Sequence, residues 1–359
     1  MNFYKKKEIS KVIKYSKKNN LYFLTNKKLF FNEKSFSIFD TPVDGFEIFN
    51  NKVYLNDWNG NYKIYKTSGE VIEKGEGKAF FHSSNSYLGY QYLKEGNIQE
   101  ALIDKNEVIL NLDIIDKKNS INFSNKNIYC CLINNEIYTY TLTKAKLQWK
   151  FELSTLGKFE DRDGNLQNYE VHKFIGAWQN SIVVACSGQL VLDINSKTGE
   201  LNRKWQALPG YGSSAFQGRL QHKLPSTDGF QLDISKSYLY HLAGAYLVTI
   251  DLVTGKANYQ TLKNTLEEHV FSGFRWSTGY AEDENHIYTI AEMNRMELGL
   301  DYTPQCIVAF NKKTLKIDWH YRFEGDWVKT DIPQRSTNKL YQLSGDNTLY
   351  IFEKEEKSV

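Results

Sequence analysis

Few residues in this chain are spaced for chemistry. Glu267-Glu268-His269 sets two carboxylates beside an imidazole, the types that trade protons as general acid and base. No partner stands at a known spacing from them, so a solvated loop is the plainer expectation. Asp161-Arg162-Asp163-Gly164-Asn165 opens like a calcium loop, but the D-x-D-x-D-G register and the distal Glu are missing, which leaves a hairpin turn. The seven His show neither H-x-H nor H-E-x-x-H spacing, and His241 and His320, within or near strands, are expected to be structural. Cys130 and Cys131 are adjacent, Cys186 and Cys306 are far off, and no C-x-x-C pair points to zinc or redox work. The expectation is no catalytic set, no metal and no cofactor.

Recognition chemistry is better represented. All seven Arg lie from Arg162 onward, and Arg219, Arg275 and Arg295 stand among Tyr211, Phe216, Trp276, Tyr280 and Tyr302. Arg and large aromatics dominate binding energy at protein interfaces. Candidate partner-binding residues are therefore Tyr211, Phe216, Arg219, Glu268, His269, Arg275, Trp276 and Arg295. The competing reading is structural: the rings pad spaces between sheets and the Arg side chains bridge loops.

These groups need elements to hold them, and composition points to sheet. Of 359 residues, 41% are hydrophobic, 14% aromatic and 24% charged, with only 5 Pro, which excludes a disordered or Pro-rich chain. The net charge of +3 lacks the concentrated basic field of a nucleic-acid binder. Lys5, Lys6, Lys7, Lys11, Lys14, Lys17 and Lys18 crowd the start, as on an edge strand guarded by Lys against aggregation. No secretory leader and no run of 18 apolar residues is visible, so no membrane span and a cytoplasmic address are expected.

A hairpin recurs along the chain. Its copies start near Leu21, Val53, Tyr87, Ile128, Ile182, Leu239, Ile287 and Leu340, eight in all. The period is roughly 45 residues, that of four-stranded propeller blades. After several hairpins a second turn leads to an outer strand that ends on an aromatic. Examples are Asp251 through Thr254-Gly255-Lys256 to Tyr259, Asn311 through Thr314-Leu315-Lys316 to Trp319, and Thr141 to Trp149. Asp193 to Trp205, through Thr198-Gly199, is a looser copy, and Lys66 to Glu70 a truncated one. The Thr-Gly pair reverses the chain, and the closing ring is expected to cover the neighbouring sheet.

This D-x-x-T-G-K-x-x-W pattern resembles the repeat of the pyrroloquinoline-quinone-type (PQQ-type) β-propellers. That superfamily holds quinoprotein dehydrogenases and cofactor-free relatives, and the present chain looks like the cofactor-free branch. The resemblance is carried by the copies ending at Trp149, Trp205, Tyr259 and Trp319; Ala145 and Leu315 stand where the turn Gly is expected. Quinoprotein dehydrogenases set a vicinal disulfide against the quinone. Here Cys130 and Cys131 lie inside a strand, where successive side chains face opposite ways, so free buried thiols are expected.

The fold expectation is one all-β domain over residues 1–359, a β-propeller of four-stranded antiparallel blades. Eight blades are favoured, seven being the competing count. The last copy lacks an outermost strand, which Asn2-Phe3-Tyr4 would supply, closing the ring, while Lys11 to Tyr15 opens the first blade. Extra length sits in 154–173, 206–233 and 260–285 between blades, and in 294–305 inside a hairpin, the last expected on the opposite face. The function expected is a non-catalytic module that binds another protein, in its narrower form an inhibitor or immunity-type protein. The alternative is a hydrolase, lyase or sugar-active enzyme using the central funnel.

Overall fold

A computed structural model describes residues 3–17, 21–25, 28–32, 34–38, 43–49, 52–57, 59, 61–76, 88–94, 97–104, 107–113, 122–124, 127–141, 146–161, 163–206, 229–233, 236–277, 279–323, 327–328 and 332–355. For the strands between 88 and 113 it describes the backbone alone.

These residues form antiparallel sheets that follow one another along the chain. Sheet one is Lys14–Lys17, Leu21–Leu24, Lys28–Phe31 and Lys34–Ile38; sheet two is Val43–Phe49, Lys52–Asp57, Asn61–Lys66 and Val71–Glu76. Sheet three has Leu88–Lys94, Asn97–Asp104 and Glu107–Asp113, and sheet four Asn122–Ser124, Ile128–Ile133, Glu136–Thr141 and Lys146–Glu152. Sheet five is Val171–Trp178, Ser181–Cys186, Leu190–Asn195 and Leu201–Trp205; sheet six is Gln231–Asp233, Tyr238–Ala243, Tyr246–Asp251 and Ala257–Thr261. Sheet seven has Phe271–Phe274, His286–Met293, Gln305–Asn311 and Ile317–Arg322, with Ala281–Glu282 also paired to its second strand. Sheet eight has Gln334–Arg335, Lys339–Leu343 and Leu349–Lys354.

Every expected hairpin falls on a pair of adjacent strands, Tyr87 alone lying outside the described residues. The turns explain why the chain reverses where it does. Asn134 and Asn135 take φ of 48° and 61° between two strands of sheet four, a conformation Asn tolerates better than most residues.

The core lies between successive sheets. Tyr22, Leu24 and Leu29 of sheet one meet Phe46, Val53 and Leu55 of sheet two; Ile182, Val184 and Leu192 of sheet five meet Ile128, Ile137 and Phe151 of sheet four. Middle strands are thus covered on both faces, which is why Ser181–Cys186 is buried at every position instead of alternating. Among the outer strands, Ile317–Arg322 keeps the alternation, whereas Leu201–Trp205 is exposed up to Trp205.

The two chain ends meet. Phe3–Ile9 pairs antiparallel with Leu349–Lys354, Phe3 opposite Lys354 and Ile9 opposite Leu349, as the outermost strand of sheet eight. Lys5, Lys6 and Lys7 are exposed along this edge, which discourages pairing with another chain. Asn2 lies outside the described residues. First strands of neighbouring sheets also touch: the Gln334 side-chain amide donates to the Tyr15 carbonyl at 3.3 Å, and Ile332 lies against Gly279.

Candidate interaction surface

The register divides each of sheets four to eight into two edges. One carries the turns between first and second strands and, in sheets four to seven, those between third and fourth, all short. The other carries the turns between second and third strands and every connection from one sheet to the next.

The short-turn edge is built on a repeated motif. Asn195, Asp251 and Asn311 each accept two backbone N–H groups on the side-chain Oδ1, from Lys197 and Thr198, from Val253 and Thr254, and from Lys313 and Thr314. These are Asx-turns, and they give the polar opener of the repeat its role. The fifth residue is left-handed in all three: Gly199 at φ 78°, Gly255 at 73° and Leu315 at 58°. The outer strand of the preceding sheet comes onto two of these turns, and that of sheet seven onto the N-terminal strand. The Trp149 indole N–H donates to the Ser196 carbonyl at 3.0 Å, Trp205 to Gly255 at 2.9 Å and Trp319 to Phe3 at 3.0 Å. A Cβ on Gly199 would lie 2.8 Å from the Trp149 ring.

The seam after Tyr259 is made differently. The Tyr259 ring packs with Tyr246 of its own sheet, 5.9 Å between centroids, on the core shared with sheet five. It therefore faces the preceding sheet, whereas the repeat pattern had it cover the next one. The Thr265 hydroxyl, on the short helix α1 (Lys263–Glu267), supplies the missing donor to the Leu315 carbonyl at 2.9 Å. At this seam a side chain from the connecting segment docks on the turn.

The long-loop edge is irregular. Lys158–Glu160 and Leu166–Asn168 form a two-stranded ribbon whose turn is Asp161–Asn165, with Asp161 Oδ1 accepting the backbone N–H of Asp163 and Asn165. The hairpin expectation for this segment therefore holds. Phe159 anchors the ribbon by packing on Gly188, where an added Cβ would meet the ring at 2.6 Å. The amide of Gln206 donates to the Gly188 carbonyl at 3.1 Å, so the next connection leaves from the same edge. The insertion expected on the opposite face lies here as well. Phe271 pairs with Met293 and the Asn294 N–H donates to the Val270 carbonyl at 2.8 Å, so helix α2 (Arg295–Leu298) rises beside the connection that precedes sheet seven. A turn between second and third strands must share its edge with the entry to the first; that parity overturns the expectation. Leu166 and Met296 are 68% and 80% exposed, and Trp327, lying flat on Gly345, is 52% exposed.

The candidate residues fall in three parts of sheet seven. Glu268 and His269 flank its outer strand: Glu268 is 3.8 Å from Lys316, and the His269 ring lies 5.3 Å from His320 and 6.0 Å from Phe271. Arg275 and Trp276 begin a bulge in the innermost strand, between the stretches pairing Phe274 with Ala291 and Ala281 with Tyr288. Arg275 donates to the Gln305 Oε1 at 3.0 Å, the same oxygen that takes the Val328 N–H at 2.7 Å, while Trp276 is 42% exposed. Arg295 stands on α2, its guanidinium 3.5 Å from the Asp301 carbonyl. Tyr211, Phe216 and Arg219 lie outside the described residues. Other Arg side chains bridge: Arg203 donates to the Leu252 carbonyl of sheet six and Arg335 to the Glu282 carbonyl of sheet seven. Leu166, Met296 and Trp327 were missed by sequence, because exposure is not written in residue type.

Titratable groups follow their surroundings. Burial pushes the thiols of Cys130, Cys186 and Cys306 up to about 12, and the four cysteines are thiols, not disulfides. Cys130 joins the core with sheet five while Cys131 faces the other way with Tyr129, as strand geometry requires. The Asn165 backbone N–H, with the Gln167 amide, holds the Asp161 carboxyl below its ordinary value. Among the described residues no group of three His, Cys, Asp or Glu is placed to hold a metal ion.

No family profile matches the sequence, and no curated protein matches it. Solved structures do. The chain is similar to Sqt1 of Saccharomyces cerevisiae, a WD40 propeller, at 9% identity and a TM-score of 0.60 over 99% of this chain and 98% of that one. It is similar to the computationally designed protein Ika8 at 11% identity and 0.58, over 96% of each chain. BamB from Moraxella catarrhalis, a PQQ-like propeller, matches at 11% identity and 0.48, over 86% of this chain and 96% of that one. The fold is a β-propeller. Within it, no helix among the described residues is long and apolar enough to cross a membrane.

Proposed function

We propose that this chain is a closed, eight-bladed propeller of the PQQ type without cofactor, whose long-loop edge binds another protein. One observation carries the reading. The irregular connections gather on a single edge of the sheets, where Leu166, Met296 and Trp327 stand exposed, while the opposite edge, the exposed Val253 apart, is spent on seams. Exposed apolar groups on a rigid support are what recognition uses, since ordering them costs little on binding.

The narrower form is an inhibitor or immunity-type protein acting in the cytoplasm, which would neutralise a toxin or enzyme by covering it. A partner should then be recovered at equal stoichiometry. Leu166→Asp, Met296→Asp and Trp327→Ala should each weaken its capture about tenfold or more, and Lys313→Glu on the short-turn edge should not. Undiminished capture by all three edge variants would remove the surface from consideration.

A further inference from the structure

We propose that His286 is a pH-sensitive clamp at the seam between sheets seven and eight, its ring carrying two protons so that it bridges Asp283 and Asp318. Both ring nitrogens face carboxylate oxygens: Nδ1 is 3.3 Å from Asp283 Oδ1, and Nε2 is 2.9 Å from Asp318 Oδ2. An ionised carboxylate only accepts, and a neutral imidazole has a single N–H. One of the two contacts would then set a lone pair against an anionic oxygen. Only the imidazolium satisfies both.

The ring cannot turn away to escape this choice. His286 is buried at the start of its strand, and its own backbone N–H donates to Asp283 Oδ1 at 2.8 Å. Asp283 is held in turn by the Asn285 N–H and by the Tyr288 hydroxyl at 2.7 Å, and Asp318 accepts the Asn311 amide at 2.9 Å. Sheet eight contributes Arg335, 3.9 Å from Asp283 Oδ2 and 6.0 Å from the Tyr288 ring centroid. Next to it Lys312 and Glu282 pair with each other at 2.6 Å. Among the described residues, Asp283 and Asp318 face the ring, and Arg335 stands beside Asp283.

Asp283 is shared between the His286 ring and Arg335, so the protonation state of one histidine acts across a seam. Once the ring loses a proton, one of the two carboxylate contacts becomes repulsive. The loop at 283–285, the outer strand at Asp318 and the contact with sheet eight then loosen together.

Selective ¹⁵N labelling of histidine reads the protonation directly, with His286 assigned by the resonances missing from His286→Gln. At about pH 6 both ring nitrogens should show the shifts of N–H nitrogens. A bare lone-pair nitrogen at that pH overturns the proposal. Should His286→Gln fail to fold, Asp318→Asn provides the assignment, because it changes the partner of Nε2 alone. Asp318→Asn also tests the consequence, since the side-chain amide it introduces can donate to a neutral ring. Between about pH 6 and pH 9 the wild type should lose about 2–4 °C of thermal midpoint relative to that variant. Parallel curves for the two proteins would refute the clamp.

Discussion

The short-turn edge and the long-loop edge use the same strands for opposite ends. On the first, three turns repeat one hydrogen-bond pattern, and an indole, or a threonine in its place, docks on each of the turns at Ser196, Gly255 and Leu315. On the second, a ribbon, the short helix α2 and a half-exposed Trp share no pattern. Repetition marks where geometry is imposed by the neighbour; irregularity marks where the neighbour leaves the chain free. The difference locates stability on one edge and proposed recognition on the other.

Substitutions on the two edges should separate these properties. Trp319→Ala should have the largest effect on folding. It removes the contacts of the indole with Phe3 and Phe352 at 5.1 and 5.3 Å and the tie to the N-terminal strand. A cost of about 3–5 kcal/mol is expected in chemical denaturation. A cost as small as that of Tyr259→Ala would show that the indole seams are not special. Gly199→Ala should cost about 1–3 kcal/mol, from the left-handed φ and the clash with Trp149. Met296→Asp, on the other edge, should change stability by about 0.5 kcal/mol or less while weakening partner capture about tenfold or more. A large loss of stability there would merge the two edges into one.

The acid limb sharpens the comparison further. Burial works to raise the Asp283 carboxyl, but the Tyr288 hydroxyl and the backbone N–H groups of His286 and Asn285 outweigh it and hold the group below its ordinary value. A carboxyl lowered on folding adds stability above its unfolded pKa of about 3.9 and loses that contribution as pH falls. Asp283→Asn should therefore flatten the loss of stability below about pH 4, measured by thermal melts across pH. For the exposed Asp161, also held low, the matching substitution should leave that limb nearly unchanged, since solvent screens its contacts.

Much of the fold was legible before any coordinates. The alternation of apolar runs with Asn and Gly turns placed the hairpins, because a strand needs several apolar neighbours and a tight turn needs residues that accept positive φ. The spacing from Asp251 to Tyr259 and from Asn311 to Trp319 disclosed the capped turn and the outer strand. The candidate surface was less legible. Arg residues clustered in the second part of the chain looked like recognition, yet Arg203 and Arg335 bridge sheets, a role that depends on which carbonyls lie within reach. Tyr259 looked equivalent to Trp319, yet its ring packs with Tyr246 on the core shared with sheet five.

Local chemistry is written in the chain: which segments extend, where they turn, and that Cys130 and Cys131 face opposite ways. Tertiary structure alone decided that the insertion at 294–305 shares an edge with the connections between sheets, and that Leu166, Met296 and Trp327 stay exposed. It also decided that His286 meets Asp318, 32 residues away. The physical reason is range. Backbone propensity and turn chemistry act over a few residues, whereas exposure and the pairing of distant charges depend on how one sheet packs against the next.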